Sequence, residues 1–136
     1  MISFTVFGQP VAQGRPRASA RNGFVRLYDP EKSRSYKELV YSEAVKVKPD
    51  TPLTGELSVI ITAYFPIPKS KSNKFREAAL SGEINPTTKP DTDNIAKIML
   101  DSAQGILFID DKQVVELMVR KRYSENPRVE VVIREM

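Results

Sequence analysis

Apolar and polar residues alternate along several stretches of the chain, as they do in half-buried strands. This pattern predicts strands over Ile2–Phe7 and Gly55–Phe65, and the segment Phe24–Tyr28 is a candidate short strand. Two more strands are expected over Val114–Tyr123 and Val129–Met136, as an antiparallel pair joined around Asn126-Pro127. The stretch Gly8–Asn22 is predicted to be a loop because Gly, Pro, Ser and Asn interrupt it repeatedly.

Helical spacing of apolar residues predicts three helices. The first begins at Asp29-Pro30, a typical capping pair, and ends before Pro49. The second covers Asn73–Ser81 and is stopped by Gly82. The third begins within an acidic motif around residue 92 and ends near Gly105. Together the elements predict an α+β fold, in which one small mixed β-sheet packs with two to three helices in a single domain over residues 1–136.

Composition excludes several classes of chemistry. The chain has 136 residues, a usual length for one domain with a real core. It contains no Cys and no His, so disulfides, zinc–thiolate sites, thiol nucleophiles and serine–histidine catalysis are ruled out. No apolar run approaches the ~20 residues of a membrane span, and a cytoplasmic protein is expected.

Basic residues are concentrated near the N-terminus. The net charge is +4, and residues 1–28 contain no acidic residue. The four basic residues of this segment are Arg15, Arg17, Arg21 and Arg26. Arginine suits bidentate contact with phosphate, so the segment is predicted to be a cationic arm that binds nucleic acid. The alternative is a solvated loop that only keeps the protein soluble.

Acidic residues form two tight groups in this otherwise basic chain. The run 89–97 reads Lys-Pro-Asp-Thr-Asp-Asn-Ile-Ala-Lys, and the pair Asp110-Asp111 follows it. Carboxylates so close together repel one another unless a cation lies between them, and Mg²⁺ prefers such oxygen ligands. An acidic metal site within a basic protein indicates an enzyme that acts on nucleic acid.

Helix geometry relates these acidic groups to one another. Asp91 would lie just before the third helix and Asp93 in its first turn, where the helix dipole favours negative charge. Asn94, Lys97 and Asp101 would share one polar face. If residues 106–109 form a strand beside the helix start, the Asp110-Asp111 pair reaches the same place. Neighbouring residues of a strand point in opposite directions, so one of the two is expected to face the metal.

The acidic motif is also compatible with a purely structural role. Each half of it is common as a helix cap or a turn. It is not an EF-hand loop, because Ile95 occupies the fifth position and no Gly follows it. A non-catalytic nucleic-acid-binding module and a phosphotransfer enzyme acting on nucleotides are therefore the rival functions.

The motifs resemble those of one known family. The run 89–97, then Leu100-Asp101, then residues 105–114 (Gly-Ile-Leu-Phe-Ile-Asp-Asp-Lys-Gln-Val) are similar to the RusA Holliday junction resolvases. Residues 8–10 (Gly-Gln-Pro), 14–17 (Gly-Arg-Pro-Arg) and 28–30 (Tyr-Asp-Pro) resemble its phage and prophage branch. The resemblance extends from Gly8 to about Tyr123.

The resemblance implies a RusA-like fold and a homodimeric endodeoxyribonuclease that cuts four-way DNA junctions in recombination and repair. It implies Mg²⁺ as cofactor, with Mn²⁺ as a substitute. The essential carboxylates fall on Asp91, Asp93 and Asp111, with Asp110 as the alternative third ligand, and the essential lysine falls on Lys97. These carboxylates would hold one or two metal ions at the scissile phosphate, and Lys97 would stabilise its developing charge.

Two further expectations concern partners. The residues expected to contact DNA are Arg15, Arg17, Arg21, Arg26, Lys89 and Asn94. A homodimer is expected because a four-way junction must be cut on two symmetry-related strands. The candidates for an edge strand that pairs with a second copy are Ile2, Phe4 and Val6 or Val129, Val131 and Ile133, and core positions account for them equally well.

Overall fold

A computed structural model describes residues 1–11, 17–21, 24–28 and 31–136, with only the backbone described for the two segments between 17 and 28. The strands are β1 (Ile2–Phe7), β2 (Arg17–Arg21), β3 (Phe24–Tyr28), β4 (Leu57–Phe65), β5 (Val114–Tyr123) and β6 (Arg128–Glu135). The helices are α1 (Glu31–Val45), α2 (Asn73–Ser81) and α3 (Thr92–Ala103), with a 3-10 turn at Asp111–Gln113. A small mixed sheet with three helices confirms the predicted α+β class.

The main sheet has four strands in the order β1-β6-β4-β5. β6 runs antiparallel to both of its neighbours, whereas β5 runs parallel to β4. The predicted pairing of β5 with β6 is therefore wrong, because β4 lies between them. β4 is suited to this central place, since Leu57, Val59, Ile61 and Ala63 are all buried. The long connection from β4 to β5 carries two helices, which is what a parallel neighbour requires.

The core lies between one face of the sheet and the helices α1 and α3. These two helices pack against each other, α1 also contacts β1, and α3 lies over β5. The largest buried side chains come from both layers: Val40, Ile95, Ile98, Met99, Phe108 and Ile133. The apolar residues of β1 and β6 that were candidates for a dimer edge belong to this core instead: Ile2 is half-buried, and Phe4, Val6, Val129, Val131 and Ile133 are buried.

The helix α3 runs antiparallel to β5, so each helix terminus marks one end of the sheet. At the α3-start end, the ammonium of Lys121, close to the C-terminal end of β5, donates a hydrogen bond to the carbonyl of Thr88, which shortly precedes α3. At the α3-stop end, the backbone amide of Asp111, shortly before β5, donates a hydrogen bond to the side-chain oxygen of Gln104, the C-cap residue of α3.

The arginine-rich N-terminal segment is more regular than predicted. Residues 17–21, expected in a loop, form β2 and pair antiparallel with β3. The sequence lacks apolar alternation here, but Asn22-Gly23 is a strong hairpin signal that the loop prediction overlooked. The candidate strand Phe24–Tyr28 is confirmed. The predicted helix start at Asp29-Pro30 lies outside the described residues.

Candidate functional site

The start of α3 presents two carboxylates to solvent. Asp91 is the N-cap residue, and its carbonyl accepts the first helical hydrogen bond from Ile95 at 3.0 Å. Its carboxylate accepts no capping bond from the first-turn amides, all of which lie in the described part of the chain. Asp93 follows in the first turn, and both side chains are exposed. The amides and dipole of the helix start favour negative charge here.

Buried neighbours hold this helix start in place. Pro90 on one side and Ile95, Ala96 and Met99 on the other are all buried, so the exposed aspartates stand on an anchored support. α3 is therefore amphipathic, with its apolar stripe on the sheet. Its first exposed turn carries the acidic groups.

One exposed face of α3 continues the polar pattern. Asp93, Lys97 and Asp101 follow one another at steps of four residues, and the ammonium of Lys97 lies 3.4 Å from the carboxylate of Asp101. The ion pair is well exposed and contributes little to stability. Lys97 thus pairs with the carboxylate one turn after it. Asp93 is one turn before it, so a change of side-chain rotamer is enough to bring the ammonium towards the helix start.

Basic groups surround the start of α3. Besides its bond to the Thr88 carbonyl at 2.5 Å, Lys121 lies over the ring of Phe65 at 5.1 Å from its centroid. Lys89 is exposed directly before the acidic turn. Sequence reasoning did not single out Lys121, although the run Arg120-Lys121-Arg122 at the end of a predicted strand was a usable signal.

The helix α2 adds more positive charge at the same end. Its Phe75 packs edge-on against Tyr123 at the end of β5, with ring centroids 5.8 Å apart. Lys71 lies over the Phe75 ring at 4.9 Å, and Lys69 and Lys74 are exposed nearby in sequence. The α3-start end therefore combines two exposed carboxylates with a basic rim.

The second acidic pair has two distinct local roles. The carboxylate of Asp110 accepts the amide of Lys112 at 2.9 Å, and the side chain of Gln113 accepts the amide of Asp110 at 2.9 Å. These reciprocal bonds form a capping box at the start of the 3-10 turn. Asp111 uses only its backbone amide, which donates to Gln104 at 3.0 Å, and its side chain is exposed.

Comparison with known proteins identifies the family. The family model for endodeoxyribonuclease RusA matches residues 8–134. The chain belongs to the RusA endodeoxyribonuclease family. It is also 51% identical, over 137 aligned residues, to the uncharacterised protein YqaN of Bacillus subtilis, and the match covers 99% of this chain and 96% of that protein.

Membership of the RusA endodeoxyribonuclease family supports nuclease activity. The site residues implied by the resemblance lie at both ends of α3: Asp91, Asp93 and Lys97 towards its start, and Asp110 and Asp111 beyond its end. None of the helices in the described ranges is long and apolar enough to cross a membrane.

The expected convergence of the two acidic groups within one chain is wrong. Residues 106–109 do not form a strand beside the helix start. The amide of Gly105 bonds to the Phe108 carbonyl at 2.7 Å, and Phe108 bridges to Leu53 at the α3-stop end. The 12 residues of α3 separate its N-cap Asp91 from its C-cap Gln104, a length of about 20 Å at the helical rise. Across the described residues, no three acidic side chains are grouped closely enough to hold a metal ion.

Two of the six residues expected to contact DNA lie at the α3-start end. Lys89 is exposed there, and Asn94 is partly buried in the first turns of α3. Arg17, Arg21 and Arg26 are in the β2–β3 ribbon, where Arg26 pairs with Ser19, midway between the other two arginines. The register thus assigns these three positions to one face of the ribbon. Arg15 lies outside the described residues.

Proposed function

We propose that the protein is a Mg²⁺-dependent, structure-selective endodeoxyribonuclease that resolves four-way DNA junctions and related branched DNA. The observation that carries this proposal is the match of the RusA endodeoxyribonuclease model to residues 8–134. The acidic start of α3 and its basic rim support it, because DNA hydrolysis needs both a site for a cation and groups that bind phosphate.

The donors at the start of α3 suit a hard divalent ion. Asp91 and Asp93 offer exposed carboxylate oxygens, and the Asp91 carboxylate is not used as a helix cap. A bound ion would supply activation of the attacking water and neutralisation of charge on the phosphate. Asp111, the third carboxylate implied by the family resemblance, is too distant in the same chain to join them.

The chain's own basic groups would bind and orient the DNA. Lys89, Lys121 and the lysines that flank the start of α2 lie at the α3-start end and would contact backbone phosphates on either side of the scissile bond. Lys97 would turn from Asp101 towards the phosphate and stabilise charge that develops during cleavage. The β2–β3 ribbon would extend the contact along a DNA arm.

A cleavage assay tests the proposal. A synthetic four-way junction and a linear duplex of the same sequence are incubated with the protein in Mg²⁺ and in EDTA. We expect nicks in the junction with Mg²⁺ alone and little cutting of the duplex. Asp93→Asn should abolish cleavage and retain junction binding, whereas Asp50→Asn, an exposed control at the α3-stop end, should behave as wild type. Junction binding without any metal-dependent cleavage would instead favour the non-catalytic binding module.

A further inference from the structure

The four-stranded sheet has two faces, and the helices α1 and α3 pack on one of them. Side chains alternate between the two faces along each strand, so every second residue belongs to the opposite, outer face. On β4, Ile61 and Ala63 are buried in the core, whereas Ile60, Thr62 and Tyr64 belong to the outer face. Of the described side chains of this face, all but that of Thr62 are exposed or half-buried. The outer face is therefore accessible to a ligand.

One row of outer-face residues crosses all four strands. In the strand order β1-β6-β4-β5 it consists of Phe7, Arg128, Tyr64 and Arg122, each opposite the next in the register. The row is about 14 Å long, because neighbouring strands lie about 4.8 Å apart. Phe7 at one end is 63% exposed. This aromatic–arginine row thus presents flat side chains next to one another on the surface of the sheet.

Arg128 is held so that the flat face of its guanidinium, rather than its N–H groups, is available. The guanidinium carbon lies over the ring of Tyr64, 4.0 Å from its centroid. The Nε donates to the Glu130 carboxylate at 3.0 Å, and one terminal nitrogen donates to the Ser124 hydroxyl at 3.2 Å and the Asn126 carbonyl at 2.9 Å. Most donors of the group are thus used within the chain, which leaves its plane suited to stacking on a flat ligand.

The outer face is basic at the end where this row lies. Arg120 and Arg122 of β5 are both on it, and within the described part of the chain neither forms an ion pair. Between them, Lys121 points to the helix-covered face and donates to the Thr88 carbonyl before α3. The aromatic–arginine row and the acidic helix start therefore lie on opposite faces of the same end of the sheet.

We propose that the outer face binds single-stranded DNA, with unpaired bases stacked on Phe7 and on the guanidinium of Arg128. Arg120 and Arg122 would contact the phosphates of the same strand. Stacking groups on a positively charged surface are the general basis of single-strand binding, and they accept any base because every base has a flat face. In RNA recognition motifs, aromatic side chains on the open face of a four-stranded sheet stack two or three unpaired bases.

The occupant is a single strand rather than a duplex for a geometric reason. In duplex DNA the flat faces of the bases are covered by neighbouring base pairs, so a row of stacking groups gains nothing from it. The phosphates of a duplex would still be attracted to the arginines, but Phe7 would contribute no affinity. The site goes beyond the proposed cleavage of junctions and does not depend on it.

A fluorescence test reports stacking directly. Phe7→Trp keeps an aromatic ring and introduces the only tryptophan, since the sequence has none. Oligodeoxythymidine of roughly 16 nucleotides, the upper end of the site size for one single-strand-binding fold, is added in EDTA. We expect its bases to quench the tryptophan emission. Tyr41→Trp is the matched control on α1, where Tyr41 is 54% exposed, and its emission should not change. Equal quenching of both variants, or none for Phe7→Trp, would overturn the proposal.

A binding test compares single-stranded and duplex DNA. By fluorescence anisotropy in EDTA, Phe7→Ala should bind the labelled oligodeoxythymidine about 5- to 100-fold more weakly than wild type, the usual range for loss of one stacked base. Its binding to a blunt duplex of the same length should not change, and Tyr41→Ala should match wild type on both. The fold loss should persist at high salt, because stacking is not ionic. An equal loss on both DNAs, or no loss, would contradict the proposed site.

A pair of arginine variants separates stacking from charge. Arg128→Lys keeps the positive charge and removes the planar group, so single-strand affinity should fall at least about threefold. Arg122→Lys is the matched control at the other end of the row, and it should bind as wild type because a phosphate contact needs only charge. Equal affinities of the two variants would assign both arginines to phosphate contact and remove Arg128 from the stacking site.

The outcomes for the outer face and for the proposed function are distinguishable. If wild type cuts no DNA in Mg²⁺, the nuclease proposal fails, and the quenching of Phe7→Trp in EDTA still decides whether single strands bind the outer face. If wild type cuts junctions and Phe7→Trp is not quenched, the nuclease proposal stands and the single-strand site fails.

Discussion

At the residue scale, the adjacent residues Asp110 and Asp111 differ in the local contacts of their carboxylates. The Asp110 carboxylate is occupied by the amide of Lys112 within a capping box, whereas the Asp111 carboxylate is exposed and makes no contribution to that box. Helix and turn caps can be recognised in a sequence, so Asp91 as a cap was predictable. Which of Asp110 and Asp111 keeps its carboxylate free of the capping box was not predictable, because it depends on the folded positions of Gln113 in the 3-10 turn and Gln104 at the end of α3.

This difference predicts unequal effects of two matched substitutions. Asp111→Asn should lower junction cleavage by at least ~100-fold, the size typical for loss of a group that stabilises transition-state charge. Asp110→Asn should retain most activity, because Asn caps a turn nearly as well as Asp. Initial rates of nicking on a four-way junction measure both. The reverse order would make Asp110 the ligand.

Tyr36 provides a prediction about stability. Its hydroxyl is buried without a hydrogen-bond partner in the described structure, and burial raises the pKa of Tyr36 well above its usual range. An unpaired buried hydroxyl costs about 1–3 kcal/mol. Tyr36→Phe should therefore leave the free energy of unfolding unchanged or raise it by up to that amount, as measured with urea. Met99→Ala, a buried control, should lower it by about 2–5 kcal/mol.

The raised pKa also fixes the sign of a pH effect. Below about pH 10 the tyrosine is neutral in both the folded and unfolded states, so it adds no pH dependence. Above that pH the unfolded chain loses this proton first, and the folded state is disfavoured. Wild type should lose more stability than Tyr36→Phe as the pH rises through this range. Identical pH profiles would show that the hydroxyl ionises as readily in the folded protein.

At the element scale, segments with an apolar period were predictable from the sequence, whereas a strand without one and the order of the strands in the sheet were not. The strands β1, β4 and β6 and the helices α1 and α3 follow apolar periods that burial confirms, and α2 ends at Gly82, whose φ of 87° suits glycine. The ribbon strand β2 was missed because Arg-Ala-Ser-Ala-Arg carries no apolar alternation. The place of β4 between β5 and β6 could not be derived, since strand order depends on long-range packing rather than on local pattern.

At the scale of the whole molecule, charge is distributed along the α3 axis. The α3-start end has the basic rim and Asp91 with Asp93, while the α3-stop end has Asp101, Asp110 and Asp111. The sequence was enough to predict a basic protein with an acidic site. The distance between the two acidic groups was not predictable, because it depends on the antiparallel packing of α3 over β5.

The β2–β3 ribbon should contribute affinity for DNA without taking part in the chemistry. Arg17→Ala with Arg21→Ala removes two charges from one face of the ribbon. Each lost phosphate contact lowers the slope of log affinity against log salt by roughly 0.9 for duplex DNA, so the double variant should show a slope smaller by about 2. Junction binding by fluorescence anisotropy at several salt concentrations measures it. Lys46→Ala is the control, directly after α1 and already paired with Glu43, and it should keep the wild-type slope. If these arginines contact only backbone phosphate, cleavage at saturating protein should remain near wild type in the double variant. A fall in that rate with an unchanged salt slope would instead assign the arginines to the reacting site.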